Sequence, residues 1–540
     1  MLETILGSSL GNLRRISFHF SMVGLLIAIG AGSALATDVT TYHNDLSRTG
    51  QNLKETILTT SNVNSTGFGL LFTMSVDSTV DAQPLYVSAL TISGVSHNVI
   101  YTATENDSVY AFDADSGAQL WKVTALLTGE TASDTRGCGQ IGPTIGITST
   151  PVIDRSSGPH GTIYVVAMSK DGSGNYYQRL HALDLTTGAE EFGGPVTVQG
   201  QYPGTGDGSS GGYVTFDAKQ YAERAGLLLL NGVIYLGWTS HCDIQPYTGW
   251  IMGYSESTLA QTTVLDLTPN GSEGSIWQAG AGMASDGHNI FVLDANGTFD
   301  TTLNSSGFPS SGDFGNAFLK ISTTNGLAVA DYFSMYNTVS ESDSDEDLGS
   351  GGVLLLPAQV DVHGVTRHLA VGAGKDGNIY VANEMNMGKF NASSNKALYQ
   401  ELTGALGAGM WAMPAYFNGS VYFGPQSGTM KQYTFSKARL STAAVSATSE
   451  SFTYPGTIPS ISANGTKNGI VWAIEHTSTS VLHAYEASSL ATELYNSSQA
   501  ANGRDNFGSA SHFGVPTIVN GKVYVGTTNS VVAFGLLAGK

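Results

Sequence analysis

The stretch Val109–Trp121, VYAFDADSGAQLW, decides how this chain is read, because Leu180–Phe192, LHALDLTTGAEEF, says the same thing again. Each copy is a β run that closes on Asp-x-x-(Ser/Thr)-Gly-x-x-x-aromatic. Weaker copies lie at Phe318–Phe333 and Leu482–Tyr495. A unit of this length makes one small sheet that cannot bury both of its faces, so copies must pack side by side. The expected fold is therefore all-β: a propeller of four-stranded antiparallel blades.

Each blade needs a central apolar strand and a partner. Eight central runs stand out: Val99–Thr104, Thr162–Ala167, Val233–Trp238, Asn289–Asp294, Leu369–Gly374, Ser420–Pro425, Ile470–Glu475 and Lys522–Thr527. Tyr, Val and Ile dominate them, as strands require. A partner run follows each, from Ser108–Asp113 in the first to Val531–Leu536 in the last. Eight pairs predict eight blades. The last pair has no outer strand before the chain stops at Lys540, and the unpaired run Gly69–Val76 is expected to supply it and close the ring.

The composition agrees. Only 12% of the 540 residues are charged, 67 are glycine, and the net charge is −20. Such a balance cannot neutralise phosphates, so a nucleic-acid partner is excluded. Residues 1–36 read as a secretory signal peptide: Arg14 and Arg15, an apolar stretch from Phe18 to about Gly32, then Ala34-Leu35-Ala36 as the small-x-small cleavage site. The apolar stretch is short for a stable membrane span. The expectation is an exported protein, periplasmic or secreted, with no membrane span after cleavage. Residues 37–68 form a polar leader, in which Tyr42–Asn52 is read as packed against the ring, with a plug or clasp as the alternative. Residues 69–540 form the propeller.

Long inserts mark one rim. Loops between strands two and three, and loops between blades, open on the same side. Ser169–Gln178, Ser240–Gly249, Ala295–Asn316 and the acidic turn Ser340–Gly349 all belong to these classes. Cys138 and Cys242, the two cysteines, lie in such loops, so their pairing as a disulfide is geometrically open, with two separate thiols the alternative. There is no Cys-x-x-Cys-His, which excludes covalent haem.

The repeats resemble those of quinoprotein alcohol dehydrogenases, whose eight-bladed propellers hold pyrroloquinoline quinone and calcium on the axis. The resemblance implies roles for particular residues. Trp277, in SIWQAGAG, matches the tryptophan under the quinone ring. Asn296, in LDANGTFD, matches a calcium-ligating asparagine. Asp347, in DSDEDLGSGG, matches the catalytic base and a metal ligand, with Glu346 where the family has tryptophan. Lys375, in GAGKDGNIYVAN, matches the basic residue that pairs with quinone oxygens, and Trp411, in GMWAMPAY, a tryptophan entering the site between blades five and six.

The chain departs from the family in three places. Cys138-Gly139 stands where the family has two adjacent cysteines. Ser169-Lys170-Asp171 stands where a calcium-binding glutamate is expected, and a Lys opposes a divalent cation. No arginine appears around Ile141-Gly142.

Alcohol oxidation by such a site would need a base, a cation and flat walls. Each residue also has a plainer reading. Trp277 and Trp411 suit the wedge between blades. Asn296 and Lys375 suit turns. Asp343, Asp345 and Asp347 alternate as in calcium loops or form a solvated acidic turn. Two functions follow. One is a propeller binding a small molecule, or an extracytoplasmic protein or polysaccharide, with a degenerate quinoprotein-type axial site. The other is a dehydrogenase that uses pyrroloquinoline quinone and calcium and passes electrons to an external acceptor.

Overall fold

The computed structural model describes residues 37–538; the signal-peptide segment 1–36, with Arg14, Arg15 and the Ala34–Ala36 cleavage site, lies outside them. Eight small antiparallel sheets surround one axis. Blade one is Leu85–Ile92, Val95–Ala103, Ser108–Asp113 and Gln119–Thr124, paired in that order from hub to rim. Every central run read from the sequence falls on a second strand and every partner run on a third. Among the described residues the only α-helix is the six-residue Thr338–Asp343, and no helix is long and apolar enough to cross a membrane.

The ring closes as the strand count requires. Blade eight is Thr517–Val519, Lys522–Gly526 and Ser530–Leu536, and its outer strand is Phe68–Ser75, antiparallel to Ser530–Leu536. Chain ends that would leave a ragged blade satisfy each other's backbone groups instead.

The repeat phrase has a physical reason at each position. Asp113 Oδ1 accepts from the amides of Asp115 and Ser116, and Gly117 takes φ +76°, which a side chain would strain. Asp184 and Gly188 repeat the turn. The closing aromatic Trp121 donates its indole N–H to Leu185 O in the next blade, 3.0 Å away. The tyrosine in the middle of the central strand does the same work. Tyr101 donates to Leu185 O, Tyr164 to Glu256 O, Tyr422 to Ala487 O and Tyr524 to Ala114 O, the last across the seam between blades eight and one. In each case the acceptor is the residue just past the neighbour's third strand. Apolar side chains fill the remaining wedges; one buried cluster joins Tyr524 of blade eight, Val99 and Val109 of blade one, and Ile163 of blade two.

The leader runs along the inner edges of the blades. Val39 exchanges backbone bonds with Tyr86 of blade one. Ile153 of blade two donates to Thr40 O, Ser285 of blade four to Leu46 O, Leu355 of blade five to Ser47 O, Tyr416 of blade six to Thr49 O and Ile461 of blade seven to Gly50 O. Gln51–Asn52 then adds a parallel strand to blade seven. The inner strands of a propeller would otherwise face the axis with unpaired amides. Arg48 is wholly buried here, donating to Met283 O, Thr41 Oγ1, Tyr42 O and Asp45 O. Gly282 makes room for it: a Cβ there would stand 2.9 Å from the guanidinium.

One insert takes a different form from the expected rim loop. Ser169–Gln178 is a continuation of the ladder, strands Thr162–Asp171 and Tyr176–Asp184 meeting in a tight turn. Asp171 caps that turn through the amides of Ser173 and Asn175, and Lys170 pairs with Asp134 at 2.5 Å. Asp171 is therefore engaged in the hairpin, and Lys170 with the neighbouring strand Glu130–Asp134.

Candidate axial site

Loops from blades two to five meet over the hub and enclose a cavity of 220 Å³. Trp277 comes from the connection between blades three and four, Asn296 from the loop after the second strand of blade four, Asp347 from the connection to blade five, and Lys375 from the loop after that blade's second strand. All four line the cavity. They are far apart in sequence and adjacent in space because both loop classes open on one rim.

Charge is concentrated on Lys375. Its Nζ lies 2.6 Å from Asp347 Oδ1 and also bonds Asp345. Asp345 in turn accepts from Asn296 Nδ2 at 2.7 Å. Asp347 is 1% exposed, whereas Asp345 is 66% exposed at the mouth. Burial pushes the Asp347 carboxyl above its ordinary range against the pull of the Lys375 ammonium. Burial works against the Lys375 charge too, but Asp347 and Asp345 together outweigh it and hold the ammonium protonated. Asn296 Oδ1 is buried and accepts no hydrogen bond. The ammonium sits 5.7 Å from the centre of the Trp277 ring, within cation–π range.

A second cation in the cavity is a residue that no motif announced. Arg224, just past the short strand Tyr221–Glu223, is 2% exposed and lines the cavity. Its Nη1 donates to Thr148 O at 2.6 Å, while Nε and Nη2 have no partner. The guanidinium rests on Phe513, which meets Trp277 edge-on with centroids 6.0 Å apart. An arginine does enter the site, then, although none stands at Ile141-Gly142. His241 also lines the cavity; burial, aided by Arg136, pushes its imidazole down to about 4, so it is neutral.

Cys138 and Cys242 are joined, with Cα atoms 5.4 Å apart, and both line the cavity. The bridge ties the connection between blades one and two to the long loop of blade three.

Other sequence candidates lie elsewhere. Trp411 is not among the cavity-lining side chains; it packs edge-on against Tyr454 at 5.8 Å and joins the apolar cluster between blades five and six. An aromatic at a blade wedge satisfies packing first. Asp343, Asp345 and Asp347 do not converge as a calcium loop would: Asp343 ends the helix in solvent, Asp345 is at the mouth and Asp347 is inside. Glu346, at the family's tryptophan position, is exposed. Among the described residues no group of three or more His, Cys, Asp and Glu side chains gathers as a metal would require.

No family model and no curated protein sequence matches the chain. Solved structures do. A quinohemoprotein alcohol dehydrogenase from Comamonas testosteroni superposes with a TM-score of 0.60 at 14% identity, over 93% of this chain and 81% of that one. A second, from Pseudomonas putida HK5, gives 0.58 at 15% identity, over 92% and 80%. A europium-containing methanol dehydrogenase gives 0.59 at 11% identity, over 93% and 98%. At these identities the likeness is one of fold: the eight-bladed propeller of quinoprotein dehydrogenases.

Proposed function

We propose that this protein is a small-molecule-binding propeller whose axial cavity takes a flat, anionic ligand of the quinone type. The observation that carries the reading is the meeting of Trp277, Asp347, Lys375 and Arg224 in one cavity. A buried guanidinium with free donors is costly until an acceptor arrives. An anion beside Arg224 supplies that acceptor, and Trp277 offers an aromatic face.

Pyrroloquinoline quinone, with its fused aromatic rings and carboxylates, fits these groups. Trp277 would face its rings, and Arg224 and Lys375 its oxygens; when bound it supplies a two-electron acceptor. Asp347 is then the group able to take a hydroxyl proton, since burial has raised its affinity for one. Calcium does not fit the same residues. One oxygen each of Asp347 and Asp345 already holds the Lys375 ammonium and Asn296 Nδ2 is bonded to the same Asp345, so the free Asn296 Oδ1 and Asp347 Oδ2 would have to bind the ion beside that cation. A divalent ion among them would meet a like charge at close range.

The Cys138–Cys242 bridge supports an oxidising compartment, in keeping with the signal-peptide reading of residues 1–36. The mature protein is then found outside the cytoplasm, with its N-terminus at Thr37.

The test is retention of the quinone. Purified protein is mixed with pyrroloquinoline quinone, with calcium or with a chelator, and desalted. Quinone absorbance should stay with the protein in both cases, and Arg224→Met should lose it. Absorbance lost in both would remove the ligand assignment. Retention only with calcium would show that Lys375 does not take the metal's place.

A further inference from the structure

A second cavity opens on the same rim, between blades seven, eight and one. It measures 690 Å³, and it shares Gln140 and Ile141 with the axial cavity, so the segment just after Cys138 forms the partition between them. Asp81 enters it from the connection between blades eight and one, Glu105 from the loop after the second strand of blade one, His476 from the equivalent loop of blade seven, and Ser511 from the connection between blades seven and eight.

The walls hold polar atoms that nothing in the protein satisfies. Both carboxyl oxygens of Glu105, Asp81 Oδ2, His476 Nδ1 and Ser511 Oγ lack hydrogen-bond partners. These side chains are 0%, 5%, 8% and 2% exposed, respectively. A buried polar atom left unmet costs about 1–3 kcal/mol. A cluster of them around one space is the mark of a site rather than of packing.

The chemistry of the wall narrows the ligand. Asp81 and Glu105 face each other. Burial raises both carboxyls, and Asp81 pushes Glu105 up further while Arg224, Glu105 and His512 pull Asp81 back, so the pair keeps a proton at neutral pH and can both donate and accept. Burial, with His512 beside it, pushes His476 down to about 3, which leaves a neutral imidazole that also offers both roles. No Lys or Arg lines the cavity, so an anion finds no cationic side chain on its walls to bond. The remaining lining is rich in Ser and Thr hydroxyls, which disfavours an apolar guest. Paired donors and acceptors with little net charge match vicinal hydroxyl groups.

We infer that this cavity binds a neutral polyhydroxylated ligand, a sugar or a polyol, with the Asp81–Glu105 pair, His476 Nδ1 and Ser511 Oγ meeting its hydroxyls. The site is separate from the axial one and does not depend on the ligand proposed there.

The experiment is saturation-transfer NMR on the whole protein, with methyl α-D-glucopyranoside as the cyclic probe and D-sorbitol as the open-chain one. At millimolar concentration at least one probe should receive saturation, and which one does separates sugar from polyol. Ser511→Ala and His476→Phe should each weaken binding about tenfold, the worth of one hydrogen bond to a buried partner. Ser511→Ala removes only a hydroxyl and keeps the experiment decisive if His476→Phe does not fold. No transfer to either probe would overturn the assignment. So would wild-type binding in the folded variants, which would seat the ligand elsewhere.

Discussion

Lys375 Nζ stands 2.6 Å from Asp347 Oδ1, and the backbone amide of Lys375 also donates to Asp347 O at 3.0 Å. The pair joins the connection between blades four and five to the loop after the second strand of blade five, and it lines the axial cavity. Removing Lys375 leaves Asp347 buried and unpaired. Lys375→Met should destabilise the protein by about 3–5 kcal/mol in chemical unfolding at pH 8. The loss should shrink at pH 5, where Asp347 can escape by taking a proton, and Asp347→Asn in the same chain should recover most of it. Equal losses at the two pH values would show that the pairing is not the cause.

Asp266 gives a pH dependence of defined sign. Burial pushes its carboxyl from 3.8 to about 7, against bonds from Thr248 Oγ1 and the Thr268 amide. The folded state therefore binds this proton more tightly than the unfolded chain. As pH rises from about 4, where the unfolded group ionises, stability is lost, and the loss is complete once the folded group ionises near 7. Asp266→Asn removes that penalty. Its stability relative to wild type should be higher at pH 8 than at pH 4, by on the order of 4 kcal/mol. A parallel offset across that range would contradict the assignment.

The seam of the ring can be weakened by one atom. Tyr524 donates to Ala114 O at 2.8 Å, the same bond that Tyr422 makes to Ala487 O inside the ring at 2.6 Å. Tyr524→Phe should cost about 1–3 kcal/mol, because it leaves the buried Ala114 carbonyl unmet, and Tyr422→Phe should cost less, because Gln432 Nε2 still donates to Ala487 O at 3.2 Å. If the tails are held mainly by the strand pair Phe68–Ser75 with Ser530–Leu536, the cost at Tyr524 should stay within that range. A far larger cost at Tyr524 would mean that the seam depends on this bond.

The Cys138–Cys242 bridge spans a sequence separation of 104. Reduction should lower stability by about 2–4 kcal/mol through the freedom returned to the unfolded chain. It should also weaken quinone retention, since both cysteines line the cavity. Thermal unfolding with and without reductant reads the first effect, and desalting of the reduced protein reads the second. Unchanged retention would mean that the bridge is structural alone.

Much of this molecule was legible before any coordinates. Central strands such as Val99–Thr104 and Ile470–Glu475 could be found because alternation, turn residues and tyrosine recur within a few positions. The closing strand followed from a count: eight third strands, and one apolar run, Gly69–Val76, with nothing to pair. Trp277, Asn296, Asp347 and Lys375 were legible because they sit at fixed offsets from those strands. Arg224 was not. It follows a three-residue strand in a stretch without a motif, and its importance lies in donors that only the assembled cavity leaves free. Trp411 packs against Tyr454 rather than lining the cavity, a contact that no motif foretells.

The leader shows the same division. Tyr42–Asn52 reads as a polar leader packed against the ring, but that Arg48 within it is completely buried could not be read, because its acceptors include Met283 O, far along the chain. Sequence alone determined the eight repeats, the order of their strands and the way the two tails meet, since these rest on periodicity and turn chemistry between near neighbours. Only the tertiary structure decided which side chains face the axis, which are paired there and which are left with free donors. Those outcomes depend on how loops from separate blades converge, and on burial that strengthens every charge interaction once water is excluded.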